Sequence, residues 1–150
     1  MTGLHPQSKR KRDLRLADLS ESPDLGPDWE RPSDNDCEEI GYSLPCPGSD
    51  FGADRIMLRM VTHHVTSQLV EFAIIQLALH GGRWREVVIV DSCHGDVHLH
   101  RCGRRSEGRI GDPEVMLRIT DAQDIQEGYG LAYDRVIDNW ASNKERWNDA

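Results

Sequence analysis

The chain has 150 residues, 37% hydrophobic and 29% charged, with a formal net charge of −8. That length suits one core-forming domain, and the acidic balance excludes nucleic-acid binding by the surface as a whole. Four cysteines do not make a disulfide scaffold at this size, and the longest apolar stretch, residues 72–79, is too short to span a bilayer as a helix.

The charge is unevenly spread. Residues 1–12 carry four basic groups and no acid, residues 13–50 two basic and eleven acidic groups, and residues 51–150 twelve basic and fifteen acidic. Six of the seven prolines also fall in residues 1–50. With few large apolar side chains, such a stretch cannot bury enough surface to offset its ordering entropy, so residues 1–50 read as a flexible, disordered acidic arm. Within it, Lys9-Arg10-Lys11-Arg12 is either a solvated charge run or a docking tail for RNA or a partner. Leu14, Leu16 and Leu19 hint at a short helix formed on a partner, and Trp29 is a candidate anchor. The arm implies a protein partner. The polar, basic start, MTGLHPQSKRKR, has no apolar signal segment, so a cytoplasmic protein without membrane contact is expected.

Residues 51–150 read as an α+β domain. Residues 56–62 alternate well enough for a first strand. Residues 70–79, VEFAIIQLAL, are apolar and precede His80-Gly81-Gly82, which favours a strand and hairpin turn over a helix. Residues 84–91 and 97–102 give the third and fourth strands, residues 103–113 a mobile basic loop, and residues 115–119 a short edge strand. Thr120, with Gln123 three positions on, then marks a helix start. Ile125, Tyr129, Ala132, Val136 and Trp140 form one apolar stripe, which predicts a single long helix over residues 121–146. Gly128 and Gly130 weaken that helix unless they allow close packing on the sheet. The fold class is thus an antiparallel meander of four to five strands packed on one long C-terminal helix.

Residues 84–102, WREVVIVDSCHGDVHLHRC, hold the candidate site. Val87, Val88, Ile89 and Val90 suit a pleated surface, and His94-Gly95 suits a turn. Val97 and Leu99 would face one side, His98 and His100 the other. With a two- or four-residue turn, Asp91 pairs with His98 and Ile89 with His100. A three-residue loop would break that register.

Gly82-Arg83-Trp84, Asp91-Ser92-Cys93-His94-Gly95, His98-Leu99-His100-Arg101, Asn139-Trp140 and Arg146-Trp147 together resemble a family of small prokaryotic proteins of unknown function. The resemblance covers residues 70–147, and Val90 stands where the family pattern has an aromatic residue. The family is distantly similar to TumE-type toxins of toxin–antitoxin modules. That similarity implies a toxin-like, RNA-acting protein whose partner is an antitoxin, or a larger assembly, engaged by residues 1–50.

Three chemistries fit these residues. Metal-independent RNA cleavage would use His98 and His100 as acid–base pair, with His94 as a further imidazole, Asp91 as orienter, and Arg101, Arg104 or Arg105 on the phosphate. Arg101, adjacent in the strand, should point to the other face, which favours the loop arginines. The second is a zinc site drawn from His94, His98, His100, Cys93 and Cys102, with Asp91 as a further donor, although the spacing matches no strong zinc signature. Under the first chemistry no cofactor is needed. In the third, the histidines are polar cover on a solvated sheet face, and the protein is a non-enzymatic interaction or accessory subunit. His63-His64 can give the site one ring at most, and His80 belongs to a turn.

Overall fold

The computed structural model describes residues 30–50 and 52–150, except the side chain of His94. The predicted short helix at Leu14–Leu19, the basic cluster and Trp29 lie outside the described residues.

Six strands form one antiparallel sheet in sequence order. They are β1 (Cys37–Pro45), β2 (Asp54–His63), β3 (Leu69–His80), β4 (Arg83–Asp91), β5 (Asp96–Gly103) and β6 (Gly108–Arg118). Two helices follow, α1 (Ala122–Asp138) and α2 (Trp140–Asp149). The α+β class and the meander are as the sequence predicts. No helix among the described residues is long and apolar enough to cross a membrane.

Strand β3 is the centre of the sheet, paired with β2 on one side and β4 on the other. In its run LVEFAIIQLALH the helix-facing residues Val70, Phe72, Ile74, Gln76 and Ala78 are buried, while Glu71, Ile75 and Leu77 on the other face are half-buried. Gly81 and Gly82, at φ +61° and +75°, make the two-residue turn into β4, a backbone conformation that fits the twist of the flanking strands. Alternation then sorts the side chains. Phe72 meets Tyr129 of α1 edge-on at 5.5 Å, and the fully buried Gln76 donates through Nε2 to Trp140 O at 2.7 Å. Phe72, Ile74 and Gln76 therefore face the helices, while Ala73, paired with Asp91, faces the other way. The core lies between sheet and helices and includes Ile56, Phe72, Ile74, Val90, Leu117, Ile125, Val136 and Trp147.

Four boundaries differ from the sequence expectation. Residues 37–45, placed in the flexible arm, form β1, so the sheet has six strands rather than four or five. Most of β1 is exposed, so its apolar content predicts nothing. Its order comes from a backbone ladder with β2 running from Cys37↔His63 to Pro45↔Arg55. The supposed mobile loop shrinks to residues 104–107, because β6 already begins at Gly108. Gly111, at φ +72°, and Pro113 look like loop residues, but the β5–β6 register shifts between Leu99 and Arg101, and an edge strand tolerates a proline.

The single long helix is two. Asn139, at φ −118° and ψ 13°, interrupts it, and its side-chain Nδ2 donates to Arg135 O at 2.8 Å. The break lets α2 turn Trp147 into the core, where it is 2% exposed. Gln76 holds the junction from below, accepting at Oε1 from Asn143 Nδ2 at 3.1 Å. The helix N-cap is Asp121 rather than Thr120. Asp121 and Asp124 form a reciprocal capping box, and Thr120 instead donates to Asp124 Oδ2 through both its N (2.9 Å) and its Oγ1 (2.8 Å).

Candidate functional site

The β4–β5 hairpin carries the site on the sheet face away from the helices. A short turn of 3₁₀ helix, Cys93–Gly95, connects the strands, and the pairing is Asp91↔His98, Val90↔Leu99 and Ile89↔His100. The predicted register is therefore the observed one. Ser92 fastens the turn to the central strand. Its Oγ accepts from Phe72 N at 2.9 Å, and its N donates to Phe72 O at 3.1 Å. Asp91 in turn accepts from Cys93 N at 3.3 Å.

His98 sits between two carboxylates. Its Nε2 lies 2.9 Å from Asp91 Oδ1 and its Nδ1 2.6 Å from Asp96 Oδ1. The three side chains are 12%, 13% and 18% exposed, so this pairing is largely sheltered from water. A neutral imidazole donates from one nitrogen only, so both contacts are donor–acceptor bonds only in the doubly protonated ring. The His100 ring stands edge-on to His98, with centroids 4.7 Å apart at 89°. One ligand-type atom from each of Asp91, His98 and His100 falls within 4.8 Å of the others. Burial, then the nearby Arg109 and His98, hold the His100 imidazole below its usual pKa, against the opposing pull of Asp91.

No protein-family model matches this chain. No curated protein and no solved structure matches it either.

The other candidates lie elsewhere. The Arg101 side chain donates to Glu114 Oε1 at 2.9 Å, and Glu114 also bonds Arg135 of α1, so Arg101 serves the helix-covered side. The backbone amides of Arg104 and Arg105 bond the end of α2, and the Arg104 side chain reaches it too, Nε donating to Asn148 O at 3.4 Å. Arg104 N donates to Trp147 O, and Arg105 N to Ala150 O, each at 3.0 Å. Neither arginine comes together with the histidines in the described contacts.

Of the two candidate cysteines, Cys93 borders the ligand cluster, its thiol hydrogen-bonded to Asp91, whereas Cys102 is buried in the core. Burial raises the pKa of the Cys93 thiol, with Asp91 and Glu71 adding to it. Burial and Glu86 raise that of Cys102, which is 2% exposed in the core. The backbone of His94 lies in the connecting turn. His63 and His64, expected on opposite faces, stack at 5.4 Å at the end of β2, where His64 Nδ1 is 2.6 Å from Asp36 O.

Two contributors escape sequence reasoning. Asp96 is the second carboxylate on His98, and the only hint of it is its place two residues before His98 on the same strand face. Arg109 is the cation felt by His100. It is exposed and has no ion-pair partner among the described residues. It reaches the site through the β5–β6 pairing Cys102↔Arg109, which no local pattern reveals.

Proposed function

We propose that this protein is a toxin-like, RNA-acting protein whose reactive centre is the Asp91–His98–His100 cluster. The observation that carries this reading is convergence: two imidazoles and a carboxylate meet within 4.8 Å on one sheet face, and the exposed cation Arg109 lies on the neighbouring strand. An RNA phosphate is the natural ligand for that combination, because the cation offsets its charge while the cluster acts on the adjoining oxygens. Arg109 replaces Arg104 and Arg105 in the phosphate role, since it acts on His100 while neither of those two contacts the histidines among the described residues. His98 is held on both nitrogens, which leaves His100 as the ring free to meet a substrate or an ion. A protein partner, an antitoxin in this reading, would engage residues 1–50, of which β1 is an exposed edge strand.

Expression in cells tests it. Wild type should slow growth and fragment cellular RNA. His98→Ala/His100→Ala should relieve both while keeping the native circular-dichroism spectrum, and Arg109→Gln should relieve them in part. A harmless wild type, or an equally toxic double mutant, overturns the reading.

A second reading has its own support. Met57 and Val115 are 41% and 57% exposed, and both share the histidine face through the pairings Met57↔Ile75↔Ile89↔His100 and His98↔Val115. Apolar side chains beside a polar cluster suit an accessory subunit that docks there. Stable association with a larger assembly, unchanged by His98→Ala/His100→Ala, would select that reading.

A further inference from the structure

We infer that Asp91, His98 and His100 bind a divalent ion of the zinc class. The inference deepens the functional reading above and rests on it for the role of the site, while ion binding itself is measured separately.

Three observations carry it. Asp91 Oδ1 and His98 Nε2 are 2.9 Å apart, and neighbouring ligands on a tetrahedral ion with bonds of about 2.1 Å lie roughly 3.4 Å from each other, so the pair needs to open by only about 0.5 Å to admit it. His100 offers its donor within 4.8 Å of both, so a small ring movement completes three-point capture. The second observation is Asp96. Its Oδ1 is 2.6 Å from the opposite nitrogen of His98, and metal-bound histidines characteristically give their other N–H to a carboxylate, which fixes the ring and its tautomer. With the proton on Nδ1 toward Asp96, Nε2 turns a lone pair toward Asp91, the arrangement a cation bridges. The third is rigidity. All three ligands sit on one register-locked hairpin whose turn is fastened to β3 through Ser92.

The donor set selects the ion class. Two imidazole nitrogens and one carboxylate suit zinc-type divalent ions, whereas magnesium and calcium favour oxygen ligands. Three protein ligands leave a coordination position to water or substrate, the pattern of catalytic rather than structural zinc sites. An ion held there would act as a Lewis acid toward a phosphate oxygen. The acid–base assignment of His98 and His100 would then give way to a ligand assignment, with Arg109 still free to meet the phosphate.

Isothermal titration of purified, chelator-treated full-length protein with zinc chloride, in the absence of RNA, tests the inference. Wild type should bind one zinc ion per chain and ignore magnesium at the same concentration. His100→Gln and Asp91→Asn should each weaken binding at least 100-fold. Asp96→Asn, which removes no ligand, should weaken it about 10-fold, as loss of such an orienting carboxylate does. Circular dichroism confirms that each variant is folded, and His100→Gln, on the more open ring, is the change least able to disturb the fold.

Absence of saturable zinc binding by the wild type overturns the inference. So does binding that survives His100→Gln and Asp91→Asn, or binding that only Cys93→Ser removes. A chain that binds zinc as described yet is harmless in cells refutes the RNA-acting reading alone. A toxic chain that binds no zinc refutes this inference alone.

Discussion

At the scale of single residues, charge pairing does different work on the two faces of the sheet. On the histidine face, the carboxylates of Asp91 and Asp96 hold one ring from both ends. On the helix face, Glu114 accepts from Arg101 at 2.9 Å and from Arg135 at 2.9 Å and 3.1 Å, tying β5, β6 and α1 together. The hydrogen bond from Arg135, then that from Arg101, holds the Glu114 carboxyl below the usual carboxylate range. A depressed carboxyl stabilises the fold above its unfolded pKa and loses that contribution as pH falls through its folded value. Glu114 is 39% exposed, so solvent screening keeps the effect near 0.5 kcal/mol. Glu114→Gln should therefore lower stability by about that amount at pH 7 in urea unfolding, with the difference from wild type shrinking as pH falls through the carboxyl's lowered folded value. A difference that stays constant as pH falls would mean that packing, not charge, holds this junction.

At the scale of elements, α1 depends on how closely it approaches the sheet. A Cβ on Gly128 would lie 2.6 Å from Val97 Cγ2 and 3.5 Å from Leu117 Cδ2. Val97 is fully buried and β-branched, so it cannot swing aside. Gly128→Ala gains about 1 kcal/mol of helix propensity but meets an overpacking cost of about 1–3 kcal/mol. The net expectation is a loss of about 1 kcal/mol, read as a melting temperature about 3 °C lower. Adding Val97→Ala should make the two costs less than additive, because the substituted groups touch. A Gly128→Ala protein that melts higher than wild type would show that helix and sheet separate freely. The same closeness sits behind the β4–β5 hairpin, because Val97 lies between Asp96 and His98, so a shift of α1 reaches the carboxylate clamp through one residue.

At the scale of the whole molecule, β1 and β6 are the edge strands of the sheet among the described residues, and helices cover one face. Strand β1 closes the β2 side with backbone bonds and contributes little burial, apart from Leu44 and the adjoining Cys46. Burial and Asp54 push the Cys46 thiol up to about 11, which marks it as an inert core residue. Removing residues 1–45 would expose the polar backbone edge of β2 together with Ile56 and Leu58, now 0% and 6% exposed. Such an edge templates pairing with another chain. The truncated protein should melt at a lower temperature and associate in a concentration-dependent way by light scattering. A monomeric truncation as stable as the full chain would show that β1 is dispensable.

The sequence by itself determined the elements whose signal is local. Residues 70–79 declare a central strand through apolar content and a following Gly-Gly turn. The stripe from Ile125 to Trp140 declares a helix face through its spacing. The pairing of Asp91 with His98 follows from period-two alternation and the parity of the turn. Tertiary structure alone decided what depends on distant partners. Strand β1 exists because β2 offers a ladder, not because its own residues are apolar. The helix breaks at Asn139, and Gln76, from the distant strand β3, fastens the start of α2 through Trp140 O and Asn143 Nδ2. Arg109 became a neighbour of His100 through the β5–β6 pairing, a long-range contact, whereas Asp96 reaches His98 along its own strand. Arg104 and Arg105, basic and next to the histidines in the chain, were drawn to the end of α2 instead. Proximity along the chain constrains which face a strand residue takes, and packing between elements decides which charged groups meet there.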